Sequence, residues 1–108
     1  MLEALFSNRS AEKVLLFIGV NREAYAAEIA ASTGTALSQV QAQLQRLERG
    51  GVLVSRPRGR MRFYSLNPRF PFSNDVADIA RRAVDYLPLK DRKAFIVRRR
   101  PRARGKPV

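Results

Sequence analysis

A mainly α-helical chain with one small antiparallel β-hairpin is the fold class this sequence predicts, on three observations. Apolar residues recur at spacings of three and four along Val14–Ile18, Val40–Leu47 and Val76–Leu87. Glycines punctuate those stretches at Gly19, Gly34 and Gly50-Gly51. Over residues 52–66, two short runs rich in Val, Leu, Phe and Tyr flank a segment holding Pro57 and Gly59, where a hairpin turn needs such residues.

Each element follows in order. Leu2, Leu5 and Phe6 form an apolar patch suited to a first helical turn or two. Ser10 is the expected N-cap of the next helix, which places Val14, Leu15, Phe17 and Ile18 largely on one face until Gly19 and Asn21-Arg22 break the pattern. Another helix fits Tyr25–Thr33, with Ile29 and Ala30 inward and Gly34 in the position favoured for a left-handed cap. After a few residues, Leu37–Arg49 repeats Val40, Leu44 and Leu47 as one buried stripe, ended by Gly50-Gly51. Two helices joined by so short a turn, with glycine in it, have the geometry of a helix-turn-helix. The strands are expected at Val52–Arg56 and Met61–Leu66, joined by Pro57-Arg58-Gly59-Arg60 and closed by Asn67-Pro68. Ser73 is the expected cap of a helix over Asn74–Leu87, with Val76, Ile79, Ala83 and Leu87 inward and Pro88 as its stop. Leu89–Val97 is ambiguous between a short helix and irregular structure. Residues 98–108 (RRRPRARGKPV) have six basic side chains in eleven and almost nothing to bury, which predicts an extended tail. The division expected is therefore a domain over 1–88 with flanking helices and a basic extension over 89–108.

Composition narrows the function. The 108 residues suit one domain, and the net charge of +12 points to a polyanionic partner. That charge is unevenly placed: residues 1–45 carry a net −1 and residues 46–108 a net +13. The first part reads as scaffold, the second as the surface that meets an anion. With no Cys and no His, disulfides, zinc sites built on those ligands and Cys–His or Ser–His–Asp catalysis are excluded. The apolar run Val14–Val20 is far short of a membrane span, and Met1–Ser10 lacks the layout of a signal peptide, so the expected location is the cytoplasm, on the nucleoid, with no membrane partner. Ser10-Ala11-Glu12-Lys13 matches the S-x-x-K nucleophile signature, but its partner motifs are absent and a helix start explains it better. Asp75, Asp78 and Asp85 lie on one helix as a solvated face. No catalytic residue, metal site or cofactor is expected.

Two features carry the functional reading. With Val40, Leu44 and Leu47 inward, a step of about 100° per residue turns Ser38, Gln41, Ala42, Gln45 and Arg49 outward, with Arg46 near the edge. Gln pairs bidentately with adenine, and Ser or Arg reaches bases or phosphates, although a plain solvated face has the same composition. In the hairpin, Arg56, Arg58, Arg60 and Arg62 occupy alternate positions, which in an extended ribbon lines several guanidiniums along one surface. Such a surface grips phosphates or a minor groove; its bland counterpart is an edge guarded by charge against aggregation. Arg98, Arg99, Arg100, Arg102, Arg104 and Lys106 add phosphate contacts or merely solubilise.

Helix, helix-turn-helix and arginine-tipped hairpin, in this order, resemble the ArsR/MarR-type winged helix-turn-helix regulators over residues 10–70. Ala27–Gly34 (AEIAASTG) resembles the first helix of their motif. Leu37–Val54 (LSQVQAQLQRLERGGVLV) resembles the recognition helix running into the first wing strand, and Arg62–Pro68 (RFYSLNP) the second wing strand and its exit. The resemblance implies a three-helix core with a wing, base reading by Leu37, Ser38, Gln41, Ala42 and Gln45, and wing contacts by Arg58 and Arg60. It also implies a homodimer formed through the terminal helices. Two departures stand out: Ala36 replaces a usual capping Ser, leaving Thr35 to cap, and Ala42 replaces a frequent Arg or polar residue. Metal sensing is not expected without Cys or His. The function expected is a sequence-specific duplex-DNA-binding transcriptional regulator, a repressor, acting as a homodimer. The rivals are an antitoxin-like or adaptor protein that grips a protein partner, and an RNA-binding module.

Overall fold

The computed structural model describes Phe6 and residues 8–96. The expected helix at the N-terminus and the tail from Arg98 to Lys106 lie outside the described residues, Phe6 excepted, which packs against the core. The described residues are mainly helical, with five α-helices, one 3-10 turn and a three-stranded antiparallel sheet.

Helix α1 (Arg9–Asn21) is the axis of the molecule. Ala11, Val14, Leu15, Leu16, Phe17, Ile18 and Gly19 are all buried, so the helix is enclosed on nearly every side. Its cap is Asn8 rather than the expected Ser10: Asn8 is extended, and its Oδ1 accepts from the Ala11 N–H at 2.7 Å. That leaves the Ser10 hydroxyl to donate to Gln39 Oε1 on a neighbouring helix. The helix ends where Arg22 enters positive φ (76°) and its N–H returns to Ile18 O.

The chain then makes strand β1 (Glu23–Tyr25), which the sequence reading missed. Helix α2 (Ala26–Thr33) follows and closes on Gly34 at φ 65°, as expected. Helix α3 (Leu37–Arg49) has the expected bounds, with Val40, Leu44 and Leu47 buried. Thr35 does not cap it, because the Thr35 hydroxyl is engaged with that of Thr33; the capping position is Ala36, which supplies no side-chain bond.

Strands β2 (Leu53–Arg58) and β3 (Met61–Leu66) form the hairpin, and the sheet order is β1-β3-β2. The turn is tighter than expected. Pro57 and Arg58 belong to β2, and only Gly59 and Arg60 lie between the strands. Positive φ occurs at Gly59 (64°) and not at Arg60, the pattern of a type II′ turn. Asn67 ties the base of the hairpin to the end of α3, donating its side-chain amide to Gly51 O and its backbone N–H to Val52 O, both at 2.9 Å.

Helix α4 (Ser73–Tyr86) begins one residue earlier than expected, with Ser73 inside it and Phe72 in the capping position. It is also rotated: Ala80, Ala83 and Val84 are buried, flanked by Val76 and Leu87, while Ile79 is only half-buried. Small residues face α1 because the two helices cross at Gly19 (below). Past Pro88, helix α5 (Leu89–Arg92) and a 3-10 turn (Lys93–Phe95) bring Phe95 into the same core, so the packing continues beyond residue 88. Arg92 donates to Leu87 O and Asp85 O, satisfying carbonyls at the end of α4.

Asn21 holds that last segment in place. Its Nδ2 donates to Phe17 O at 3.0 Å and to Phe95 O at 2.8 Å. Asn21→Ala leaves a part-buried carbonyl without its donor and should cost about 1–3 kcal/mol. Urea unfolding should show a lower midpoint with an unchanged slope; an unchanged midpoint would mean that Phe95 is held by burial alone.

Candidate nucleic-acid interface

The outward face of α3 is built as its periodicity requires. Leu37, Ser38, Gln41, Ala42, Gln45, Arg46 and Arg49 are all exposed, opposite the buried stripe. Arg46 Nε donates to Gln43 Oε1 at 3.0 Å, which draws that guanidinium along the helix. Arg46 and Arg49 also sit in the last turn, where cations complement the helix dipole.

The hairpin does not present its arginines on one surface. Cross-strand partners share a face, and the pairs are Arg56 with Phe63, Pro57 with Arg62 and Arg58 with Met61. Arg56 and Arg58 therefore lie on the outer face of the sheet with Phe63 and Ser65, and with Glu23 and Tyr25 of β1. Arg62 lies on the opposite face with Ser55 and Tyr64, and Arg60 is at the tip. The expected single row of four is thus split, because residue parity reverses across a two-residue turn.

The two faces differ chemically. On the outer one, Glu23 accepts from Arg56 at 3.3 Å and from Arg58 at 3.2 Å, and the Arg58 guanidinium lies 4.2 Å from the centre of the Phe63 ring. Tyr25 meets that ring edge-on at 5.3 Å. On the inner face, Arg62 Nη1 donates to Ser55 Oγ at 3.0 Å, and Ser55 Oγ donates to Glu48 Oε2 at 2.5 Å. This relay fastens the hairpin to the last turns of α3. Burial pushes the Tyr64 phenol above its ordinary value, Glu48 adds to that and Arg62 opposes it, so the hydroxyl keeps its proton at neutral pH.

A groove joins helix and hairpin. β1 ends at Tyr25 opposite Phe63, so among the described residues no strand lies beside the β3 edge at Met61 and Arg62 on that flank. There a concavity of about 260 Å³ opens, lined by Leu37, Gln41 and Gln45 of α3, Ala26 and Ala27 of α2, and Met61, Arg62 and Tyr64 of β3, with Tyr25. It gathers four of the expected site residues: Leu37, Gln41, Gln45 and Arg62. Ser38, Ala42, Arg46 and Arg49 continue the same helix outside it. Arg56, Arg58 and Arg60 do not line it, and the arginines from Arg98 onward lie outside the described residues. Sequence reasoning missed Met61, Glu23, Ser55 and Glu48; the pairing register brings the first three to these places, and Glu48 meets Ser55 from α3.

Among the described residues, no group of three or more carboxylates, His or Cys could hold a metal ion, and no helix is long and apolar enough to cross a membrane. No family model matches the sequence, and no curated protein is similar to it.

Proposed function

We propose that the chain is a winged helix-turn-helix protein that binds duplex DNA as a homodimer and represses transcription. In this reading α3 enters the major groove and the β2–β3 hairpin is the wing, lying along the adjacent backbone. The observation that carries it is the groove in which the exposed amides of Gln41 and Gln45 stand beside Arg62. Amides read an adenine edge, a guanidinium grips a phosphate, and Leu37 and Met61 (44% and 43% exposed) offer apolar contact for a thymine methyl. The exposed Phe72, Tyr86, Leu89 and Ile96 supply apolar surface for self-association. The same side chains favour the second reading, an adaptor that grips another protein.

Fluorescence anisotropy with random and selected duplexes tests the proposal. Arg60→Ala with Arg62→Ala should weaken binding to every sequence and flatten the log–log salt dependence by about 2, roughly 0.9 for each lost phosphate contact. Gln41→Ala should change the preferred sequence, relaxing discrimination at one base pair by about 1–3 kcal/mol. No duplex binding at 50 mM salt would sink the DNA reading, and a tight salt-resistant complex with one cellular protein would replace it with the adaptor.

A further inference from the structure

We propose that Glu23 is a built-in counter-charge that competes with phosphates for Arg56 and Arg58, setting how tightly the chain grips duplex DNA without altering which sequence it prefers. The proposal rests on the duplex-binding reading above. Across the three strands, Glu23 is the only acidic residue, and it lies on the outer face in the row of Ser65 and Val54. Arg56 belongs to the next row toward the tip and Arg58 to the one after that. Yet the Arg58 guanidinium does not project from the tip. It folds back over the Phe63 ring and reaches the Glu23 carboxylate, two rows away. One carboxylate thus binds two guanidiniums and draws both toward the base of the sheet.

This arrangement is easily broken and easily felt. The Arg56 and Arg58 side chains are 69% and 47% exposed, and exposed ion pairs are weak. A phosphate is a strong bidentate acceptor for arginine and can take either guanidinium. When it does, that guanidinium must leave the Glu23 carboxylate, so part of each phosphate contact goes into breaking an ion pair. That cost is the same for every base sequence, because phosphates carry none. Its removal should act as one added phosphate contact.

Glu23→Gln keeps the side-chain size and removes the charge. It should bind every duplex several-fold more tightly, with the ranking of sequences unchanged. The salt slope should steepen by about 0.9, so the fall in affinity between 50 and 200 mM salt grows by about 3.5-fold. Adding Arg56→Ala and Arg58→Ala should abolish the gain. Weaker or unchanged binding by Glu23→Gln, or a gain that survives loss of both arginines, overturns the proposal. If neither the wild type nor Glu23→Gln binds duplex, the DNA reading fails instead. A sulfated-polysaccharide column then still reads the competition: Glu23→Gln should elute at higher salt than the wild type, and equal elution overturns the proposal there too.

Discussion

Phe17→Ala should bring the protein close to unfolding, with a loss of about 3–5 kcal/mol. Phe17 is fully buried at the middle of α1 and heads the largest side chains with no exposure. Helices α3 and α4, strands β1 and β3 and the Phe95 turn all pack on α1, so no single neighbour can collapse into the void. A domain of this size has about 5–15 kcal/mol in total, and such a cavity removes a large part of it. Urea denaturation followed by far-UV circular dichroism measures the loss. Phe17→Leu, which keeps most of the apolar volume, should lose well under half as much. Equal losses for the two would mean that the ring, and not the volume, is what the core requires.

Gly19→Val is expected to be nearly as damaging, for the opposite reason. A Cβ placed on Gly19 would lie 2.4 Å from the Ala80 Cβ, closer than two carbons can approach. Alanine there already forces α1 and α4 apart, at a cost of about 1–3 kcal/mol, against a gain of roughly 1 kcal/mol from better helix propensity. Valine adds two further carbons and exceeds any such gain. The diagnostic experiment is a double-mutant cycle: Ala80→Gly should remove most of the penalty of Gly19→Ala, with a coupling of at least about 1 kcal/mol. Additive effects would show that the helices do not touch at this point.

Gly19 also shows what was legible in the sequence. It reads locally as a helix breaker, yet it lies within α1 as the point where another helix comes closest. The end of α2 and both bounds of α3 were readable because their signals are local: the stripe of Val40, Leu44 and Leu47, and a glycine just past each helix. The start of α2 falls one residue later than expected, since Tyr25 belongs to β1. Strand β1 was not readable, since Glu-Ala-Tyr has no period of its own and becomes a strand only by pairing with β3. The same limit governed the interface. The outward residues of α3 followed from helical geometry alone. The faces of the hairpin arginines depended on the parity of the turn: any even number of residues between the strands sets Arg62 against Arg56 and Arg58, which alternation along one strand does not reveal.

The tie between Asn67 and Gly51 turns the hairpin into a lever. A strand of six residues is about 20 Å long at roughly 3.3 Å per residue. A tilt of about 5° at its base therefore moves the tip by close to 2 Å, more than the width of the distance range over which a hydrogen bond holds. Angular error at the base is multiplied along the ribbon, damped by the Ser55–Glu48 bond and the pairing with β1, and Arg60 is where it arrives. Stiffness at the fulcrum, far from any contact the tip makes, thus decides how reproducibly α3 and the tip are spaced.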